Sequence, residues 1–268
     1  MTRSTNMTRS PEGIHRVLFS DLAGVAAPDR VVIDGDEARH IARVRRARAG
    51  ESVELLDLEG RVGRAAVASV GGGKSRPEIA VDIDRVESVP PVRPEVAVAS
   101  PPPKGERLER MIDHLTQIGV TRWTPLACDR GARDPGSIRP DRLARIIAEA
   151  CKQAGRAHAL RIDEPRAPED LAGDPVTTPI VCDASGDAPL APLDPDAPAT
   201  LLIGPEGGWS GPERALYASR ACPVRRIGAH VLRIEAAAGA AASIALAHAR
   251  PADPQQSPAG CRSEGDDI

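Results

Sequence analysis

Short apolar strands alternate with amphipathic helices along residues 95–249, and this alternation restricts the fold more than any other feature of the chain. Strands are predicted at 95–99, 120–126, 160–163, 179–183, 199–203 and 224–227, and helices at 104–118, 141–154, 212–220 and 235–249. Strands joined through helices pair in parallel, and a parallel sheet is covered on both faces. This part of the chain is therefore predicted to be an α/β domain with a largely parallel sheet.

The residues before this domain show a different pattern, in which short β-type runs are separated by turn residues. The runs lie at 31–33, 52–56, 63–70 and 79–83, and a helical piece over 36–46 interrupts them. This pattern predicts a small β-barrel over residues 14–90. The proline-rich segment 89–94 can continue neither a ladder nor a helix, so it marks the boundary to an α/β domain over 93–250. The polar ends, 1–13 and 251–268, are predicted to be a disordered leader and a disordered tail.

The composition excludes several classes of protein. Aromatic residues make up only 1% of the chain, so stacking platforms for unpaired bases are scarce. A formal net charge of -3 argues against coating of nucleic acid through overall charge, and any RNA contact must be local. The five cysteines have no CxxC spacing, which argues against a disulfide framework and a zinc site. No signal peptide and no run of eighteen apolar residues is present, so a cytoplasmic protein without a membrane anchor is expected.

The predicted strand 199–203 runs into a glycine-rich turn, Gly204-Pro205-Glu206-Gly207-Gly208, and a helix follows. Parallel sheets bind ligands at the carboxyl ends of their strands, where glycines let the backbone approach a ligand closely. The turn is therefore a candidate binding loop. The alternative is a strand-to-helix turn in which glycine and proline serve geometry alone.

A second strand-to-helix junction, residues 227–236, carries an arginine and a glutamate at the entrance of an alanine-rich helix. Arg233 and Glu235 are candidates to orient a polar substrate. In the alternative interpretation, Glu235 only favours the positive end of the helix dipole and Arg233 pairs with it.

A run of arginines without an intervening acidic residue lies in the helical piece of the N-terminal part. It comprises Arg39, Arg43, Arg45, Arg46 and Arg48. On a helix these side chains form a basic stripe that is able to hold RNA phosphates. The alternative is a solvated helix face whose arginines pair with nearby acidic residues.

Two further sequence features could suggest a nucleotide-binding site and a metal site, but neither site is predicted. Residues 68–75 satisfy a relaxed Walker A motif, but Pro77 and a β-run follow where a P-loop needs a helix, so a hairpin turn is predicted instead. The six histidines are scattered without the spacing of metal ligands, so no metal site is expected.

Several segments match one known family in the same order along the chain. They are residues 40–46, 104–107, 117–120, 124–126 and 149–156, the Leu-Ile-Gly-Pro-Glu-Gly-Gly turn at 202–208, and Gly-x-x-Val-Leu-Arg at 228–233. Together they resemble the ribosomal small-subunit RNA uracil-N3 methyltransferase (RsmE-type) family of the knotted SPOUT superfamily. The resemblance extends over residues 15–249.

The resemblance implies a PUA-like barrel that grips RNA and an α/β trefoil-knot domain that binds S-adenosylmethionine. The implied cofactor contacts are Leu202, Ile203, Gly204, Pro205, Glu206, Gly207, Gly208, Ile227, Gly228, Val231 and Leu232. It also implies a homodimer, with ribosomal RNA or the small ribosomal subunit as the partner. Arg16 matches an arginine just before the family's first strand and joins the RNA-binding candidates.

The activity implied by the resemblance is methyl transfer to N3 of a uridine. N3 carries a proton that must leave before or during attack on the sulfonium methyl, so a base or a stabiliser of the uridine anion is useful. Arg233 is predicted to supply the positive charge. Glu235 is predicted to position Arg233 or to help accept the proton.

The chain departs from the family pattern at five positions near the implied site. A lysine and a glutamate in the first helix, a glutamate in the next helix and two threonines at the last helix are replaced by His114, Gln117, Lys152, Ile234 and Ala236. These departures leave two alternatives open. One is an RNA-binding or ribosome-assembly relative with weak catalysis, and the other is a methyltransferase for another RNA position.

Overall fold

The structure is a computed structural model that describes residues 15–45, 47–73 and 76–251. The predicted leader 1–13, the predicted tail beyond residue 251, and Arg46 lie outside the described residues. The described residues form two large sheets, one on each side of residues 89–91, and a small two-stranded sheet. The first sheet has five strands, β1 (His15–Leu18), β2 (Asp29–Ile33), β3 (Ser52–Leu56), β4 (Arg61–Gly73) and β5 (Arg76–Ser88). Their order is β1-β3-β4-β5-β2, and only β1 and β3 run parallel.

The hairpin of β4 and β5 is longer than the β-runs in the sequence indicate. Its pairing continues to Gly73 opposite Arg76, so residues 68–73 of the Walker A-like segment form the end of a strand and the predicted hairpin is confirmed. Residues 74 and 75 lie outside the described residues. Gly72 has φ +76°, and a Cβ atom there would lie 2.3 Å from the Arg76 carbonyl oxygen. Gly72 therefore serves the close approach of the two strands rather than a phosphate.

The helical piece expected over 36–46 is divided in the structure. An α-helix, α1 (Gly35–Arg39), gives way to a wider π-type turn, His40–Arg45. The N–H of Ala47 reaches the carbonyl oxygen of Ile41 at 3.3 Å, which carries the chain outside the α-helical path. Ala38 and Ile41 remain buried in the core of this N-terminal β-domain.

The second sheet has seven strands, and every pair within it is parallel, as the alternation predicts. After the short β6 (Val92–Arg93), its strands are β7 (Val96–Ser100), β8 (Arg122–Pro125), β9 (Arg161–Ile162), β10 (Thr178–Cys182), β11 (Ala188–Pro189), β12 (Ala199–Ile203) and β13 (Val224–Arg226). Their order is β11-β13-β10-β12-β7-β8-β9. The chain thus leaves β12 and crosses to the far side of β10 before it forms β13.

Helices cover both faces of this sheet, as predicted. The remaining helices are α2 (Glu106–Ile118), α3 (Pro140–Ala154), α4 (Pro168–Ala172), α5 (Gly211–Ser219) and α6 (Ile234–Ala245). Helices α2, α3 and α6 pack in one aliphatic core, and α4 and α5 pack in another on the opposite face. Helix α2 ends at Gly119, whose φ of 112° is left-handed, and Pro140 begins α3.

Helix α6 is shorter than expected and ends at Ala245 rather than at 249. The Ala245 carbonyl accepts the N–H of Leu193 at 3.0 Å, a tertiary hydrogen bond that the local sequence does not indicate. The chain then forms β14 (Arg250–Pro251), which pairs antiparallel with β6. The two ends of the α/β domain therefore lie together.

The β-domain contacts the loop between α3 and β9. Gly60 donates its N–H to the Ala157 carbonyl at 3.0 Å, and Ala159 donates to Leu58 at 2.9 Å. The His158 ring lies within hydrogen-bond distance of the Val89 carbonyl, at 2.8 Å. Backbone hydrogen bonds therefore join the two domains beside their connection.

Candidate functional site

Three loops at one edge of the parallel sheet enclose a cavity of about 300 Å³. They follow β10, β12 and β13, which are neighbours and therefore end at the same edge. Ten of the residues expected to contact a cofactor line it: Ile203, Gly204, Pro205, Glu206, Gly207, Gly208, Ile227, Gly228, Val231 and Leu232. Leu202 lies beneath them, fully buried within β12.

The glycines of the two loops have different roles. Gly208 has φ +68°, and a Cβ atom on Gly204 would lie 3.0 Å from the Trp209 ring, so these two positions serve loop geometry. A Cβ atom on Gly228 would meet nothing within 4 Å. The backbone at Gly228 is therefore open to a ligand, and geometry alone does not account for this glycine.

A charged pair that the sequence analysis missed closes one side of the cavity. Arg214 of α5 donates to both carboxylate oxygens of Asp183, at 3.1 and 3.3 Å, and Ser185 donates to Asp183 at 2.6 Å. Burial raises the pKa of Asp183, but the hydrogen bonds from Ser185 and Arg214 outweigh burial and lower it. Asp183 thus presents a negative charge at the cavity. Its place as the last residue of the predicted strand 179–183 was the available signal, because that strand ends at the same edge.

Two other missed residues form neutral walls. Burial raises the pKa of Cys182 to about 12, so its thiol remains protonated. Trp209 is 2% exposed and packs edge to face against Tyr217, with ring centroids 5.0 Å apart. The apolar back of the cavity is therefore rigid.

A buried carboxylate holds the glycine-rich loop in place. Glu213 is 4% exposed and accepts the backbone N–H groups of Ser210 at 2.7 Å and Asp129 at 3.0 Å. The Ser210 hydroxyl accepts the Glu213 N–H at 3.2 Å and donates to the Asp129 carboxylate at 2.5 Å. This capping box begins α5 and also ties the loop after β8 to the loop after β12.

Arg233 and Glu235 are close in sequence, but no ion pair joins them in the described part of the chain. Glu235 lies in the first turn of α6, where the alternative interpretation expects it. Arg233 is exposed at the N-cap position of α6. Glu235 lines a separate cavity between α2 and α6, and one of its carboxylate oxygens is buried without a hydrogen-bond partner.

The five residues that depart from the family pattern lie in different surroundings in the structure. His114 and Gln117 line the same cavity as Glu235, Ile234 is buried, and Ala236 is exposed. Lys152, only 10% exposed, pairs with Glu37 of α1 at 2.8 Å and with Glu149 at 2.7 Å. Burial lowers the pKa of Lys152, but the two carboxylates outweigh it and raise it. The lysine therefore forms an ion pair between the two domains.

The candidate RNA-binding arginines lie in two places. Arg39 is half exposed and pairs with Asp36, as the solvated-face alternative expects. The side chains of Arg43 and Arg45 lie outside what the structure describes, as does all of Arg46. Arg16 is 15% exposed, bonds to Glu54 at 2.8 Å, and donates to two carbonyls at the end of α3. Arg16 thus lies at the contact between the domains.

Over residues 15–45, 47–73 and 76–251, no group of three or more His, Cys, Asp or Glu side chains is arranged to hold a metal ion. None of the described helices is long and apolar enough to span a lipid bilayer.

Family models match most of the chain. The RNA methyltransferase domain matches residues 90–246, and the RNA methyltransferase PUA domain matches residues 33–75. A curated relative from Mycobacterium bovis, the ribosomal RNA small subunit methyltransferase E, is 32% identical over 224 residues, which cover 78% of this chain and 83% of the relative.

Solved structures share the fold. A methyltransferase from Legionella pneumophila, crystallised with the cofactor SAM, superposes with a TM-score of 0.68 at 25% identity and covers 87% of this chain and 97% of its own. Ribosomal RNA small subunit methyltransferase E from Neisseria gonorrhoeae, bound to S-adenosyl methionine, has a TM-score of 0.71 at 21% identity, with 86% and 95% covered. The chain therefore combines a PUA domain with an α/β RNA methyltransferase domain, and it belongs to the ribosomal RNA small subunit methyltransferase E family of RNA methyltransferases.

Proposed function

We propose that this protein transfers the methyl group of S-adenosylmethionine to N3 of a uridine in small-subunit ribosomal RNA. The observation that carries the proposal is the cavity formed by the three loops after β10, β12 and β13. It lies where parallel sheets bind ligands, in a chain whose family is one of RNA methyltransferases and whose structural relative from Legionella pneumophila was crystallised with SAM.

The residues around the cavity fit S-adenosylmethionine. Ile203, Ile227 and Leu232 offer an apolar wall for the adenine ring, and the Asp183 carboxylate offers an acceptor for hydroxyl or ammonium groups. The open backbone at Gly228 permits close approach. When bound, the cofactor supplies an electrophilic methyl group on a sulfonium.

The uridine requires help to lose its N3 proton. Arg233 is exposed beside the cavity residue Leu232, and its guanidinium has no partner among the described residues, so it is available to stabilise the uridine anion. Glu235 faces a different opening, so we propose that it supports the site from the α2–α6 side rather than by orienting Arg233. Alignment of N3 with the methyl group supplies much of the remaining acceleration.

We further propose that the chain is divided at residues 90–93 into an RNA-binding PUA-like domain, 14–90, and a methyltransferase domain, 93–250. The two family models support this division, because the PUA model ends at residue 75 and the methyltransferase model begins at residue 90. Arg39, Arg43, Arg45 and Arg46 would hold RNA phosphates, and Arg16 would support their domain from the contact with α3.

We also propose that two copies of the chain form a homodimer through the face between α2 and α6. Gly239, Ala240 and Ser243 line this face and permit close packing of helices. The buried, unpartnered carboxylate oxygen of Glu235 is costly in isolation, and a donor from a second copy would satisfy it.

The four described cysteines are free thiols, which favours a reducing cytoplasm.

Two measurements test the proposed function. Isothermal titration should detect binding of S-adenosylmethionine, and absence of binding at millimolar ligand would contradict the enzyme interpretation. Mass mapping of ribosomal RNA from a deletion strain, with and without complementation, should reveal one uridine that loses and regains an N3 methyl group. A different modified base would correct the target, and cofactor binding without any restored methyl group would indicate the weakly catalytic relative.

A further inference from the structure

Four basic side chains lie just before α2 and in the loop between β8 and α3: three of them line one cavity, and the fourth contacts the glycine-rich loop. They are Lys104, Arg130, Arg133 and Arg139, which together form a cationic rim. We propose that the cationic rim binds phosphate groups of the RNA that is methylated, as a second contact besides the arginine run of the β-domain. This inference rests on the proposed function.

Arg130, one member of the cationic rim, lies on the loop after β8, and hydrogen bonds hold this loop against the glycine-rich loop of the cofactor cavity. Asp129 is tied to Glu213 through its N–H and to Ser210 through its carboxylate, as described above. Arg130 follows directly and donates from Nη1 to the Gly207 carbonyl at 2.9 Å. Its Cβ and Cδ atoms pass within 3.6 Å of the place where a Gly207 side chain would begin. Arg130 is therefore fixed across the outer side of the glycine-rich loop.

Most of the donors of Arg130 are not used by the protein. A guanidinium has five N–H donors, and the described contact engages one of them. The residue is exposed, so the remaining donors are open to a ligand. Because its partner is a carbonyl rather than a carboxylate, the positive charge of Arg130 is not neutralised.

The rim continues away from the cofactor along a second cavity of about 970 Å³. Arg133 donates to the Ser137 hydroxyl at 3.0 Å and to the Pro103 carbonyl at 3.5 Å, which orients it without neutralising it. Lys104 and Arg139 line the same cavity and are exposed. Arg133 is three residues beyond Arg130 on the same loop, so this loop carries one cation at the second cavity and one at the cofactor loop.

The acidic residues along this cavity are largely engaged elsewhere. Glu106 pairs with Arg110 at 3.3 Å, and Glu109 pairs with Arg142. Among the described residues, no carboxylate pairs with any member of the cationic rim, and Asp141 is the one unpaired acid that lines the cavity. The rim therefore keeps an excess of positive charge.

Phosphate is the ligand that suits this arrangement. Exposed, pre-oriented arginines bind phosphate oxygens through parallel hydrogen bonds, and a row of cations follows a charged backbone without reading its sequence. A substrate whose base enters the cofactor cavity must bring its neighbouring phosphates over the outer side of that cavity, where Arg130 lies. An acidic protein is the competing occupant.

The test compares four full-length variants with the wild type, one of them the charge-conserving Arg139→Lys. Lys104→Ala/Arg139→Ala removes the rim cations that are farthest from the cofactor loop, and Arg130→Gln removes the nearest. Arg161→Ala is the matched control, because Arg161 is exposed on β9 and its side chain has no described partner. Filter binding of small ribosomal subunits from the deletion strain is measured over a salt series, and binding of S-adenosylmethionine is measured by titration.

We expect the double variant to bind the subunits about tenfold more weakly, and the salt slope to fall by about one for each cation removed. Arg130→Gln should weaken binding by about threefold. The double variant should bind S-adenosylmethionine like the wild type, and Arg139→Lys should retain subunit binding, since the charge is kept.

Subunit affinities and salt slopes equal to those of Arg161→Ala would overturn the inference and leave an acidic protein as the alternative occupant. Because binding is read directly, the result does not depend on methyl transfer. If the wild type binds the subunits through the rim but transfers no methyl group, the proposed function fails while the rim remains. If it methylates and the rim variants bind normally, only the rim fails.

Discussion

The carboxylate of Glu213, in the first turn of α5, accepts the backbone N–H of Asp129 at 3.0 Å, although the two residues are 84 positions apart in the chain. Its other oxygen accepts the N–H of Ser210 at 2.7 Å. One buried side chain therefore fixes the glycine-rich loop relative to the loop that carries Arg130. The carboxylate serves the geometry of the site and need not touch a ligand.

Glu213→Ala should lower the free energy of unfolding by about 3 kcal/mol, because two buried N–H groups lose a charged acceptor. It should also weaken binding of S-adenosylmethionine, because the loop at 204–210 loses its anchor. Urea denaturation and isothermal titration measure the two effects. Glu164→Ala is the control, since Glu164 is exposed and has no described contact. A variant as stable as the control would show that the buried carboxylate is dispensable.

Gly228→Leu should abolish or strongly weaken cofactor binding without destabilising the fold. A side chain at this position meets no protein atom within 4 Å and enters the space that a ligand would use. Ala229→Leu is the matched control, because Ala229 is exposed next to it and does not line the cavity. Titration with S-adenosylmethionine distinguishes them, and equal affinities would place the cofactor elsewhere.

The charged pair at the cavity predicts a dependence of stability on pH. The pKa of Asp183 is lowered below its ordinary value of 3.8, so folding favours its charged form. Its contribution to the free energy of unfolding is complete above pH 3.8 and is lost as the pH falls through the lower folded-state pKa. Asp183→Asn should remove this part of the acid dependence, as measured by denaturation between neutral pH and pH 3. Parallel curves for variant and wild type would contradict the assignment.

The ion pair between the domains predicts an effect for Lys152. Lys152→Ala should lower the free energy of unfolding by about 2 kcal/mol, because Glu37 loses its partner in a contact that is largely shielded from water. Glu149→Ala should cost about 0.5 kcal/mol or less, because Glu149 is 62% exposed. A double-mutant cycle with Glu37→Ala measures the coupling directly. A coupling near zero would show that the pair contributes no stability.

The exposed arginine at the start of α6 predicts a selective loss of catalysis. Arg233→Ala should lower kcat by about a hundredfold, because the charge that stabilises the uridine anion is lost. Binding of S-adenosylmethionine should persist, since Arg233 is not among the cavity-lining residues. Arg233→Lys should recover part of the rate. Full methyl transfer by Arg233→Ala would refute the proposed role.

The sequence by itself determined the parallel sheet, because strand and helix periodicities are local properties that repeat along the chain. It also indicated the loops after residues 203 and 227, because glycines at strand ends are visible as a pattern. The helices and strands expected in residues 95–249 are present. Short elements such as α4 and β11 were not predicted, because a few residues carry too little hydrophobic periodicity.

Only the tertiary structure decided which side chains meet. Asp183 and Arg214 lie 31 positions apart, and Lys152 and Glu37 lie 115 positions apart, so no local pattern indicates either pair. The same holds for the end of α6 at Ala245, where a hydrogen bond from Leu193 replaces the next helical turn. Secondary structure follows from neighbouring residues, whereas charge pairing and loop anchoring depend on how distant segments pack together. The crossing of the chain from β12 to the far side of β10, for example, brings separate loops to one edge of the sheet.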